Sequence, residues 1–202
     1  MVSASKRSNP LDRLLAEIRA CRLCAEHLEP RPVLRVSRSA RILIAGQAPG
    51  LRVHRSGVPF SDLSGERLRH WMGIDPDTFY DESRVAIIPM GFCFPGYSAT
   101  GADKPPRREC AKAWRHALME ELSGFALTLA IGSYAQAWHL GRRRKQNLGE
   151  TVRTFTDYAP DIIPLPHPSW RNNAWLKKNP WFERDLLPHL RASVVAQLSF
   201  AS

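Results

Sequence analysis

The chain has 202 residues, 44% of them hydrophobic, enough to bury one good core and closer in length to a single domain over 1–202 than to two. No run of about 18 apolar residues is present to cross a bilayer, and MVSASKRSNPLDRLL lacks the continuous apolar stretch of a secretory signal, so a cytoplasmic protein with no membrane partner is expected. Lys and Arg number 29 against 19 Asp and Glu, a net charge of +10 that attracts polyanions.

The basic residues gather in SKRSNPLDR, RPVLRVSRSAR, PPRREC, GRRRKQN and SWRNNAWLKK. They are spread through the chain and build no strongly amphipathic basic helix, so nucleic acid is the expected partner. No obligate protein partner is implied.

In chain order, residues 1–8 are expected to be poorly ordered. LDRLLAEIRACRLC repeats Leu and Ile at helical spacing, and RILIAG is a short apolar run ended by glycine, which suits a buried strand. GERLRHWMG reads as a helix, VAIIPM as a strand, and ECAKAWRHALMEELSG as a long helix closed by Gly124. FALTLAIG is a buried strand. SYAQAWHLG is a helix with Ser133 as N-cap and Gly141 as its stop. DIIPLP is the last strand, and WFERDLLPHLRASVVAQL the last helix, kinked or broken at Pro188. The GYSATGADKPP stretch, rich in turn formers, is expected to be weakly ordered. Strands alternate with helices, which predicts an α/β fold: three α/β/α layers around a central, mostly parallel four-stranded sheet.

Ligands of open α/β sheets collect at the carboxyl ends of the strands. Three segments follow apolar strands immediately: GQAPGLRVHRSGVPFSDLSG, GFCFPG and HPSWRNN. All three should open onto one rim. GQAPG lacks the Lys-Ser/Thr ending and glycine spacing of phosphate loops. Its Gly46 and Gly50 allow a tight path and Pro49 stiffens it, so main-chain N–H groups can be aimed at a ligand carbonyl. His167 follows the last strand between Pro166 and Pro168. Taken alone it reads as an ordinary loop residue, because proline fixes φ and cannot join a ladder.

GQAPG, then GVPFSDLSG, then a final HPS resembles, over roughly residues 10–190, the uracil-DNA glycosylase superfamily. The resemblance implies a base-excision repair enzyme that hydrolyses the N-glycosidic bond of uracil or a related deaminated base in DNA, leaving an abasic site. It implies that Gly46, Gln47, Ala48 and Pro49 shape the base pocket, and that His167 donates to the base carbonyl with Ser169 beside it. Phe60 matches the position of the ring that stacks on the flipped base; a core phenylalanine at a helix start is the plain alternative. HPSWRN is similar to the His-Pro-Ser-x-Arg-Asn of the single-strand-selective branch, where the loop enters DNA. Arg171 would be the wedge or phosphate grip, supported by Trp170 and Asn172.

Four cysteines, Cys21 and Cys24 as C-x-x-C with Cys93 and Cys110 farther on, invite a metal reading in a chain without a secretion signal. Spacing alone leaves zinc, a cluster and unrelated thiols open. The layout resembles the iron-sulfur branches of the same superfamily, which implies a [4Fe-4S] cluster bracing a DNA-facing loop.

The chain also departs from the family pattern. Ala48 stands where the most active branch carries a water-handling Asp, and IIPMGFC has no uracil-reading Asn. Asp62 is the first candidate to act on water, with His54 and Ser98 behind it; Asp62 can equally cap the following helix. A nucleic-acid-binding member with little turnover, and a metal-stabilised interaction scaffold, are the other readings.

Overall fold

The computed structural model describes residues 9–200; the expectation for residues 1–8 falls outside that range. Helix α1 (Pro10–Arg19) starts from Asn9, whose side chain accepts from the Leu11 amide. Strand β1 (Ile42–Ala45) follows, then α2 (Leu51–Ser56), α3 (Leu63–Met72), α4 (Pro76–Tyr80) and β2 (Val85–Ile87). A short α5 (Arg108–Cys110) runs through a π-turn (Ala111–Arg115) into α6 (His116–Glu121). The chain continues with β3 (Leu127–Ile131), α7 (Gly132–Leu140), α8 (Leu148–Arg153), β4 (Ile162–Leu165), α9 (Asn173–Lys178) and α10 (Leu187–Ser199).

The strands form one sheet in the order β2-β1-β3-β4, and every pairing is parallel. Apart from Thr128 in β3 and the half-buried Ile162 that opens β4, all four are apolar and buried on both faces, as strands covered by helices on two sides must be. Alternation sorts their side chains. Ile42 and Ile44, with Leu127, Leu129, Ile163 and Leu165, pack against α3, α8 and α10. Leu43, Ala45, Ala86 and Ala130 face the opposite way, toward α1, α6 and α7. Three alanines on that second face bring its helices close to the sheet. The three-layer α/β/α expectation is met. Among the described residues no helix is long and apolar enough to cross a membrane.

Local expectations fail in three places, and one stretch expected to be weakly ordered carries internal hydrogen bonds. Helix α7 begins at Gly132, with Ile131 at its cap and no side-chain cap bond, so Ser133 lies in the first turn. Helix α6 ends at Glu121 rather than at Gly124, because Leu122 already leaves helical geometry to reach the core. No break falls at Pro188: a π-turn over Phe182–Leu186 runs straight into α10, and the proline is the second residue of α10, just after the widened turn. The 96–104 stretch closes on itself: the Ser98 amide donates to Ala102 at 2.7 Å, Lys104 to Gly96 at 2.9 Å, and Tyr97 pairs with Asp103.

Candidate active site

Because the strands are parallel, the segments leaving β1, β2 and β4 emerge on one rim. They enclose a cavity of about 600 Å³. Gly46, Gln47, Ala48, Pro49, Phe60, Asp62, His167, Ser169, Trp170, Arg171 and Asn172 all line it. The imidazole, the aromatic ring and the glycine turn therefore share one space.

His167 is placed by its backbone. Gln136 of α7, buried at 1% exposure, donates to the Leu165 carbonyl at 3.0 Å and so fixes the end of β4. The Asn172 side chain donates to the His167 carbonyl at 2.7 Å. Arg67 of α3 donates to the Ser169 carbonyl at 3.1 Å and to Asn173 Oδ1 at 2.8 Å. Burial pulls the His167 pKa below its ordinary value, and the Arg171 charge adds to this; the Asp62 and Asp103 carboxylates oppose it. At neutral pH the ring is uncharged, with one N–H to donate.

Phe60 has a φ of 54°, a left-handed backbone that a residue with a side chain rarely adopts. Its carbonyl is held by the Tyr80 hydroxyl at 3.0 Å and Arg69 at 3.3 Å. Its ring meets Phe79 edge-on at 6.2 Å and lies over Gly46, where an added Cβ would touch it at 3.5 Å. Core residue and cavity wall are thus two sides of one ring. Gly65 is the hidden condition of this arrangement: a Cβ there would fall 1.8 Å from the Phe60 carbonyl oxygen.

Asp62 caps α3, its Oδ1 accepting the Gly65 amide at 3.1 Å, and it borders the cavity as well. His54 points elsewhere: it is 6% exposed, meets Glu29 at 3.1 Å and lines a neighbouring cavity. Ser98 bonds Thr100 at 2.9 Å within the hairpin and does not line the rim cavity. Asp103, which no sequence signal singled out, does line it. Of the three loop residues expected to meet DNA, Asn172 uses its amide inside the protein. Trp170 is 68% exposed, and the Arg171 guanidinium stands 5.7 Å from its ring centre.

The four cysteines surround a second, tight cavity against Trp114 and Phe92. None is in a disulfide. The Phe92 amide donates to Cys110 Sγ and the Trp114 indole to Cys21 Sγ, each at 3.3 Å. Burial pushes the Cys93 thiol up to about 11 and Cys110 up to about 12. Among the described residues no three His, Cys, Asp or Glu side chains stand close enough to hold a single ion. In the π-turn beside Cys110, Arg115 is fully buried. It donates to the Ile88 and Pro89 carbonyls at 3.1 and 3.0 Å and lies 2.8 Å from His139 Nε2. Its Nε has no partner, and it makes no ion pair among the described residues.

Residues 35–191 match the model of the uracil DNA glycosylase superfamily, and the chain belongs to that superfamily. The matched span begins after Cys21 and Cys24, so it covers the rim and only half of the cysteine set.

Proposed function

We propose that the protein is a monofunctional DNA glycosylase that removes uracil or a related deaminated base by hydrolysis. The observation that carries this reading is the single rim cavity shared by His167, Phe60 and the GQAPG turn. The extruded base stacks on Phe60, where an aromatic face contributes about 1–3 kcal/mol per base. As the glycosidic bond lengthens, the sugar becomes oxocarbenium-like and the base anionic. The neutral His167 N–H meets the growing charge on the base carbonyl, and the bonds that fix its loop keep its reorganisation small. The C–N bond breaks with its electron pair leaving on the base anion, water adds to the sugar carbon, and the proton it sheds passes to solvent or to the departing base. Asp62 orients that water, and Asp103 brings a second carboxylate to the cavity wall. Trp170 and Arg171 enter the space that the flipped nucleotide leaves.

The cysteine set fits a [4Fe-4S] cluster. The four cysteines line one small cavity, two of their sulfurs receive N–H donors, and Arg115, on the π-turn that follows Cys110, is a buried cation with no carboxylate partner among the described residues. A buried unpaired cation costs several kcal/mol, and an anionic cluster is the partner that would offset it. A structural zinc would use the same four thiolates at Zn–S distances near about 2.3 Å, so metal content decides between the two. Bound there, the cluster would tie the Cys21–Cys24 turn and the Cys93 loop to α5 and supply no redox step.

Uracil-containing single-stranded and duplex oligonucleotides, incubated with the protein and then treated with alkali, provide the test. Strand breaks at the uracil are expected. DNA binding without breaks would support the low-turnover reading, and absence of salt-sensitive binding would support the scaffold. Purified protein should be brown and lose its visible absorption in Cys110→Ser; a colourless protein with stoichiometric zinc would remove the cluster.

A further inference from the structure

The cavity that His54 lines, about 430 Å³, adjoins the rim cavity, and Pro95 and Lys104 border both. Arg31 and Arg55 stand exposed on its wall with Lys104, and none of the three makes an ion pair among the described residues. Glu29, the acidic residue of the lining, already meets His54. Three aromatic rings run along the boundary: His54 lies 6.1 Å from Phe94, and Phe94 is 5.1 Å from Tyr97, which is 49% exposed and also lines the rim cavity. The buried His54 Nδ1 has no partner among the described residues. A shallow cleft over Arg52, Arg55 and Tyr97 joins the two spaces across the outside of α2.

Unpaired cations interleaved with open aromatic faces suit a polyanion that carries planar rings, which is single-stranded nucleic acid. A protein anion or free phosphate would use the cations and leave Tyr97 and Phe94 idle. We propose that this cavity is a nucleotide subsite: the strand leaving the base cavity crosses Tyr97, seats a flanking phosphodiester among Arg31, Arg55 and Lys104, and lays the adjoining base against Phe94. The inference rests on the DNA reading of the rim and adds a direction to it. One flank of the lesion is gripped by the α2 side of the molecule, the other by the Trp170–Arg171 loop.

Fluorescence anisotropy with labelled single strands tests this, using a uracil flanked on both sides, or ending at the uracil on one side or the other. Arg55→Gln combined with Lys104→Gln should weaken binding of the fully flanked strand about tenfold and lower the slope of log K against log salt by about 0.7 for each phosphate no longer neutralised. Tyr97→Ala should weaken it about tenfold with the salt slope kept. Trimming one flank should abolish these losses; trimming the other should preserve them. Arg142→Gln, beyond the far end of α7 and so at the opposite edge of the sheet, should leave binding unchanged. Equal effects of Arg142→Gln and the double variant, equal sensitivity with either flank removed, or full inhibition by inorganic phosphate without any dependence on Tyr97, would each overturn the subsite. A wild type that binds no DNA would remove the rim reading itself, and is recognised by that result alone.

Discussion

The rim cavity and the cysteine cradle are built in opposite ways. At the rim, the GQAPG turn and His167 follow directly from parallel strands, so topology delivers them, and neighbouring side chains hold the backbone of His167 and Phe60. Asn172 and Arg67 clamp the His167 loop, while Tyr80 and Arg69 clamp Phe60. Around the cysteines the contributing segments are distant in sequence. They include the buried Arg115 cation, whose desolvation costs stability, and the Cys93 and Cys110 thiols, which burial pushes up to about 11 and about 12 and so keeps uncharged at neutral pH. The rim is therefore preorganised by the protein alone, whereas the cysteine region keeps a buried cation that makes no ion pair among the described residues.

This contrast is sharpened first at His167. Replacing it with Ala should lower kcat by about 10²–10³, the cost of losing one preorganised donor to a developing anion, with DNA affinity nearly unchanged. Equal losses in turnover and affinity would make His167 structural. Next comes Gly65→Ala, which drives a methyl into the Phe60 carbonyl. It should cost about 1–3 kcal/mol of stability as overpacking and reduce kcat/KM even at temperatures where the protein stays folded. An unchanged kcat/KM would mean that the Phe60 conformation is not needed. Arg171→Ala should slow duplex processing several-fold and single-strand processing less; identical slowing on both would end the wedge assignment.

A last effect concerns pH and reaches Arg115 through His139. His139, beside Arg115, is pushed down to about 3 by burial and by the guanidinium. Above pH 6.5 it is neutral in both folded and unfolded chains. Below 6.5 only the unfolded chain binds the proton, so stability falls as pH falls. Between pH 6.5 and 5 this amounts to about 2 kcal/mol. Urea midpoints of His139→Gln should fall less over that interval than those of the wild type; parallel slopes would contradict the assignment.

The strands were legible because both of their faces are buried, which leaves short apolar runs bounded by Gly or Pro. From them the sheet, its rim and the convergence of GQAPG, Phe60 and His167 followed. Helices α2, α4, α8 and α9 were not foreseen, since each spans only five or six residues and carries little periodic signal. Asp103 reaches the cavity through a hairpin whose pairing is invisible in composition, and Gln136 acts through a carbonyl 29 residues away. Gly65 looked like one more glycine at a helix start. Its importance lies in the path of a different segment. Asp62 could be cap or site residue by its sequence; the structure gives it the cap and a place on the cavity wall together.

The central claim is that the rim cavity encloses a nucleobase, and free uracil reports on it most directly. Titrated into the protein and followed by NMR, uracil should move the ring signals of His167 and Phe60 together, with one saturation curve, and leave those of His54 in place. Signals of His167 and Phe60 that stay fixed at saturating uracil, while the base perturbs the His54 side or nothing, would contradict the account.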